Sequence, residues 1–284
     1  MESASCKIVG FPIYVCTGVF LFITSKTRRD SLNISELVSK TVSSGVAPMR
    51  LTYKAVRNCR SFNAVAYRAS IEINSLEFGT LTENEFWEVA EKNDAGNRLC
   101  DWAIKEIVSH REKFENASRH PAWISIRCPV AYVEREDFYE HVRSLAGRCE
   151  QDDIKICLEF SEKLLYLGDK AKQAMLDLKL IGVNSMIVCD NADTCPFFRL
   201  SEIPVDLVLL SVGMTKTVSD KNKPATMSSL IQFLRSLGID AVANSVPDTE
   251  ERLNLARAEC VGYVSEHEES VSLEDAIAQK EDDN

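Results

Sequence analysis

The sequence predicts an α/β fold, a TIM-type (β/α)8 barrel preceded by a short strand-helix extension, and three observations lead there. From Leu51 onward, short apolar runs alternate with longer amphipathic ones. The apolar runs number eight, the strand count at which a barrel of alternating strands and helices closes. The chain's 284 residues, 45% of them hydrophobic, supply the length and the core for one such barrel. The expected division is an extension over residues 1–46, the barrel over 47–279 and an acidic tail over 280–284.

Taken in order, the first element is the uncharged run from Ile8 to Ser25, which is followed by Lys26, Arg28 and Arg29. One reading is an inner-membrane anchor, marginal in length and weakened by Gly10, Pro12, Thr17 and Gly18. The favoured reading is a strand over Ile13–Phe22, with a turn at Thr17-Gly18, leading into a helix from Asn33 to Ser44. Under both, the rest of the chain faces the cytoplasm, because basic residues after an apolar span keep that side inside. An orphan strand has adhesive edges, so it must pack on the barrel or find a partner. The barrel strands are expected at Leu51–Val56, Ala64–Ile73, Trp123–Cys128, Ile154–Phe160, Ser185–Cys189, Leu207–Val212, Ile239–Ala243 and Val261–Val264. Helices are expected at Glu83–Glu91, Gly96–Phe114, Arg135–Cys149, Lys170–Ile181, Ala225–Leu237 and Thr249–Ala258. In these, apolar residues recur at three- and four-residue spacing, as in Leu230, Phe233, Leu234 and Leu237.

Composition narrows the function classes. A formal net charge of −10 repels polyanions, and the basic clusters at Lys26–Arg29 and Lys216–Lys223 are short and lack interleaved aromatics, so broad nucleic-acid binding is not expected. The ten cysteines are scattered, with no C-x-x-C pair, and read as reduced, buried side chains; the nearest pair, Cys189 and Cys195, has no feature that would lower a thiol pKa. None of His110, His120, His141 and His267 has an i+4 ligand partner, and all four are expected at the surface. Trp87 and Trp102 fall on apolar helix positions and are expected in the core. Asp190 to Asp193 imitates part of a Ca²⁺ loop but lacks its glycine and terminal glutamate, so it reads as a polar turn. The sequons at Asn33 and Asn116 carry no weight in a cytoplasmic chain.

Two resemblances add to this pattern. The run Ile13 to Phe22 (IYVCTGVFLF), with the helix after it, is similar to the last strand and helix of a GGDEF (diguanylate cyclase) domain. It has neither the phosphate-binding glycines nor the paired carboxylates of a cyclase. Further on, Leu76 to Glu91 (LEFGTLTENEFWEVAE) resembles the segment after the signature Glu-Ala-Leu of EAL domains, the cyclic di-GMP phosphodiesterases of bacteria, where Gly-x-Leu/Ile-x-Pro-x-x-Phe-x-x-x-Ala-Glu is usual. Leu99–Lys105 (LCDWAIK), Leu158–Glu162 (LEFSE), Ile203–Asp206 (IPVD) and Ser236–Asn244 (SLGIDAVAN) fit the same family in the same order. The likeness runs from about Leu51 to the end of the chain.

The resemblance implies a site at the C-terminal ends of the strands, where carboxylates and an amide oxygen hold two divalent metals that activate water. Matched residue by residue, this chain departs from it. The signature glutamate falls on Arg68, followed by Ala69 and Ser70; the asparagine of the third strand falls on Ser125; the glutamate of the fourth is kept as Glu159. The paired aspartates of the fifth align with Cys189 and Asp190, the lysine of the sixth with Leu209, the aspartate two residues later with Ser211, and the glutamate of the seventh with Asn244. The arginine that meets the ligand phosphate falls on Glu72, and Arg68, four residues earlier on the same strand face, is the candidate to replace it.

The expectation is therefore a pseudo-enzyme: no catalytic residue, no cofactor, and Glu159 and Asp190 as relics held by cations such as Arg68 or Arg127. Mg²⁺ or Mn²⁺ would matter only if a weak phosphodiesterase activity survived. The leading role is a regulatory protein-interaction module with an unnamed protein partner; a non-hydrolysing cyclic di-GMP receptor is the alternative. The oligomeric state is left open by the sequence; the resemblance implies a homodimer through helices near the fifth and sixth strands as one option, since related barrels often pair there.

Overall fold

The computed structural model describes residues 33–116, 120–147, 154–190, 194–215, 224–247 and 249–278. The Ile13–Phe22 run, both basic clusters, Asn191 to Asp193 and the acidic tail lie outside them. A first helix, α1 (33–44), precedes β1 (Met49–Arg57), β2 (Ala64–Ser75), β3 (Gly79–Thr82), α2 (Glu83–Glu91) and α3 (Ala95–Glu115). There follow β4 (Trp123–Arg127), α4 (Phe138–Ala146), β5 (Lys155–Ser161), α5 (Asp169–Ile181), β6 (Asn184–Cys189) and β7 (Leu207–Leu210). The last elements are α6 (Val212–Thr215), α7 (Pro224–Ser236), β8 (Asp240–Val246), α8 (Thr249–Arg257), β9 (Gly262–Ser265) and α9 (Leu273–Ala278).

β1, β2 and β4 to β9 close into an eight-stranded barrel, with β3 added outside β2 as a hairpin arm. Seven strands run parallel. β1 alone is antiparallel to both neighbours, with Leu51 opposite Ile71 and Arg57 opposite Tyr263. The reason lies in the connection: a parallel return needs a crossover of about a dozen residues, and only residues 58–63 separate β1 from β2. This reversal and β3 are additions to the expected eight-strand pattern. Two boundaries also move. The sixth expected run ends at Leu210, since Val212 opens α6, and the segment from Arg135 holds a helix only from Phe138 to Ala146, after a 3-10 turn at Val130–Glu134.

Strand alternation sorts side chains into two compartments. Val56, Ala66, Trp123, Cys157, Met186, Leu207, Leu209, Val242 and Val264 fill the barrel interior. Their neighbours Ile124, Ile126, Leu158, Phe160, Ile187, Val208, Leu210, Ala241 and Ala243 face the surrounding helices. α1 joins this outer layer through Val38, which is fully buried, and Trp87 is buried there as expected. α5 stops at Gly182, whose φ of 76° suits a residue without Cβ; Val183 N–H then reaches back to Leu178 O at 3.0 Å. At the seam between β9 and β1, a Cβ on Gly262 would stand 2.9 Å from Val56 Cγ1, so only glycine lets these strands approach.

Two histidines differ from expectation. His110 and His141 are half-buried: His110 Nδ1 lies 2.7 Å from the Tyr53 hydroxyl, and His141 Nε2 lies 2.9 Å from Asp101 Oδ1. An aromatic or acidic neighbour that satisfies the ring recruits it from the surface. Among the described residues, no helix is long and apolar enough to cross a membrane.

Candidate functional site

The C-terminal ends of the seven parallel strands define a mouth, and the inward-facing side chains of β2, β4 and β5 converge beneath it. Parallel register sets Arg68 beside Ser125, and Arg127 beside Glu159. Arg68 Nε donates to Glu159 Oε1 at 2.8 Å and Nη2 donates to Oε2 at 2.7 Å, a fork-on-fork pair. Ser125 Oγ donates to the same Oε1 at 2.5 Å. Ser125 and Glu159 are buried, and Arg68 is partly so. Burial works against ionising Glu159, yet the Arg68 guanidinium, with the Ser125 hydroxyl and Arg127, holds its carboxyl below the usual range. Burial likewise opposes the charge on Arg68, and Glu159 more than restores it.

A second carboxylate shares this pocket. Thr82 precedes α2, its N–H and hydroxyl both donating to Glu85 Oε2 at 2.8 and 2.7 Å, which fixes the entry of the helix. Glu83, the first residue of α2, thereby turns inward: it is buried, and its Oε1 accepts the Ile71 N–H at 3.4 Å. Burial pushes its pKa up to about 7, against the pull of Arg127 and Arg68 and with the push of Glu159. Arg127 stacks over Trp87, its Cζ 4.9 Å from the ring centroid. The pocket thus holds two guanidinium groups and two carboxyl groups. Glu83 was not among the sequence candidates. The signal was present, since Glu83 occupies the proline position of the Gly-x-Leu-x-Pro pattern.

The other candidates lie apart. Leu209 faces the barrel interior among apolar side chains. Cys189 points the other way, into the outer layer, with its Sγ 2.8 Å from Cys195 Sγ. Asp190 is exposed, and its backbone oxygen accepts the Ser211 hydroxyl at 2.7 Å. The Asn244 carbonyl accepts the Thr215 hydroxyl at 2.9 Å. Glu72 is paired with Arg50 across the β1–β2 hairpin, at 2.7 Å from Nη2. Both residues suggested for ligand binding, Arg68 and Glu72, therefore already hold an ionic partner. Among the described residues, no three His, Cys, Asp or Glu side chains gather in a way that could hold a metal ion.

Comparison with known proteins agrees with this architecture. The family model described as EAL domain matches residues 43–264. The fold is similar to that of the EAL enzyme Bd1971 in a form bound to cAMP and cyclic di-GMP, with 17% identity, a TM-score of 0.73, and coverage of 93% of this chain and 75% of that one. It is similar to the PaMucR phosphodiesterase in complex with cyclic di-GMP, at 15% identity and a TM-score of 0.74, covering 86% and 99%. The FimX EAL domain from Pseudomonas aeruginosa, bound to cyclic di-GMP, aligns at 15% identity and a TM-score of 0.67, covering 84% and 94%. No curated protein sequence matches the chain.

Proposed function

The chain belongs to the EAL domain family, and from that premise we propose that it is a catalytically inactive member, acting as a regulatory protein-binding module in cyclic di-GMP signalling of bacteria. The observation that carries this reading is the paired contact of Arg68 with both oxygens of Glu159. The family's chemistry requires divalent metal at this carboxylate. Here its lone pairs are taken by a guanidinium that stays charged at every physiological pH. A dication about 4 Å from that guanidinium would meet a repulsion of about 8 kcal/mol at an effective dielectric constant of about 20. Ser125, Leu209 and Asn244 bring no compensating charge. The residues present do not fit Mg²⁺ or Mn²⁺, and no hydrolytic step follows from them.

Protein binding is supported by apolar side chains exposed outside the barrel, Phe198 in the 3-10 turn Phe197–Ser201 and Leu180 in the last turn of α5. Phe198 is 85% exposed and Leu180 is 72% exposed, more than isolated core-forming side chains need be. Phe198 also rests edge-on against Phe233, so the turn and α7 present aromatic surface together. The same surface suits a second copy of the chain, which is the homodimer reading. The cytoplasm is the proposed compartment, supported by Lys26, Arg28 and Arg29 after the apolar run and by buried free thiols. Helix α1 supports reading the extension as the remnant of a GGDEF domain's last helix.

A non-hydrolysing cyclic di-GMP receptor is the second reading, favoured by relatives of this fold that hold the nucleotide. Against it stand the engaged Arg68 and the negative charge of Glu72. Titration calorimetry with cyclic di-GMP, with and without Mg²⁺ or Mn²⁺, and chromatography for the linear product test the proposal. Neither binding heat at micromolar ligand nor product is expected. Metal-free micromolar binding would transfer the assignment to the receptor, and metal-dependent linear product would overturn inactivity.

A further inference from the structure

We propose that Cys189 and Cys195 are a thiol–disulfide modification site, closing reversibly into a bond that ties the end of β6 to the turn bearing Phe198. Their sulfurs lie 2.8 Å apart in a buried setting. The contact is not a loose encounter of flexible segments. Cys189 is the last residue of β6, fixed by parallel pairing with Leu210. Cys195 is held from both sides: its carbonyl accepts the Phe197 N–H at 2.9 Å, Thr194 O accepts the Tyr166 hydroxyl at 3.1 Å, and Thr194 Oγ1 donates to Glu162 Oε1 at 2.7 Å. Arg199, in the 3-10 turn Phe197–Ser201, donates from Nη1 to Leu165 O at 3.1 Å and anchors the far side. Both sulfurs are thus positioned by backbone and side-chain hydrogen bonds that do not involve the sulfurs and that closure leaves intact, which is the condition a disulfide's narrow geometry sets. Cys157 is the contrast. It is buried inside the barrel among apolar side chains, as a small hydrophobe should be.

The two thiols differ in access, and this orders the chemistry. Cys189 is fully buried, and the adjoining sulfur together with burial pushes its thiol far up. Cys195 retains 7% exposure and is the one that meets an oxidant. With a low-molecular-weight disulfide such as oxidised glutathione, the Cys195 thiolate attacks one glutathione sulfur and releases glutathione thiolate, which takes up the proton Cys195 lost. Cys189 then loses its proton, attacks Cys195 Sγ of the mixed disulfide and expels the second glutathione. Two protein thiols are oxidised, one glutathione disulfide is reduced, and both protons leave on glutathione.

The test uses the full chain equilibrated in glutathione buffers from fully reduced to fully oxidised, then alkylated under denaturing conditions and digested with trypsin. Both cysteines fall on one peptide, 180–199, between Lys179 and Arg199. At the oxidised end this peptide is expected to lack alkyl groups and to be lighter by two hydrogens, while Cys157 remains alkylated. The oxidised protein is also expected to melt several degrees higher, and a Cys195→Ser variant to lose that rise. Because Cys195 lies on a turn, Cys195→Ser keeps the test usable if Cys189→Ser does not fold. Double alkylation of the peptide at every buffer ratio would overturn the proposal, as would a bond from either residue to another cysteine.

Discussion

Glu83 and Glu159 lie in one pocket and shift in opposite directions, and the difference reads out as stability against pH. Glu159 is held low by Arg68, so its contribution is present above the ordinary carboxylate range and is lost as pH falls through its folded pKa. Glu83 is raised from 4.5 to about 7. The native state therefore binds more protons than the unfolded chain between those values, and stability falls as pH rises across that window. The shift corresponds to at most about 3 kcal/mol. Glu83→Gln should flatten this slope and raise stability at pH 8 by a comparable amount, whereas Glu159→Gln should lower stability at neutral pH and abolish the acid loss. Urea titrations at a series of pH values read both; a Glu83→Gln protein no more stable than its parent at pH 8 would contradict the assignment. Arg68, Ser125 and Glu159 were legible in the sequence because strand position and alternation place them. Glu83 was visible only as a departure at the proline position of the Gly-x-Leu-x-Pro pattern; its place in the pocket was not, because nothing in a helix-start pattern says which way the first side chain turns.

At the scale of elements, the reversed first strand makes the seam the barrel's most particular joint. β1 meets β9 through a single registered pair, Arg57 with Tyr263, and the approach depends on Gly262. Gly262→Ala should cost about 1–3 kcal/mol by overpacking against Val56. Combining it with Val56→Ala should return part of that loss, since the two sites share one contact. Thermal melts of the single and double variants measure the coupling, and strict additivity would exclude this contact as the cause. The strand itself was visible as an apolar run. Its direction was implicit in the short connection after it, which a count of strands and helices passes over. Similarly, Val212 carried strand-like character into a run that pairing ends at Leu210, because propensity does not see where the neighbouring strand stops.

For the molecule as a whole, closure also depends on the segment after β9. Val271 exchanges two backbone hydrogen bonds with Tyr53, both 2.9 Å long; the Tyr67 hydroxyl donates to Ala276 O at 2.8 Å; and Arg57 forks onto Glu268 at 2.9 and 3.0 Å. These contacts cover Tyr53, Tyr67 and Phe114, whose rings pack within 5.3 to 6.3 Å of one another. A chain ending at Ser265 should accordingly lose cooperative unfolding and bind a hydrophobic dye, and a sharp melt at the parent's temperature would show the segment to be dispensable. The eight-fold alternation made the barrel legible. Its fastening was not, because Val271 and Ala276 lie in a stretch whose role appears only when β1 stands beside it.

The direction of β1 has a consequence for how information could enter. Seven strands deliver their C-terminal ends to the mouth, and the antiparallel strand delivers its start there: Met49 pairs with Ile73, and Asn74 N–H donates to Pro48 O at 2.9 Å. The polypeptide thus arrives on the side of the Arg68 pocket. In an all-parallel barrel it would enter at the opposite end, a full strand length away. Anything that pulls on, docks to or displaces the leading part of the chain acts at the rim directly, and a signal from upstream has no barrel to traverse.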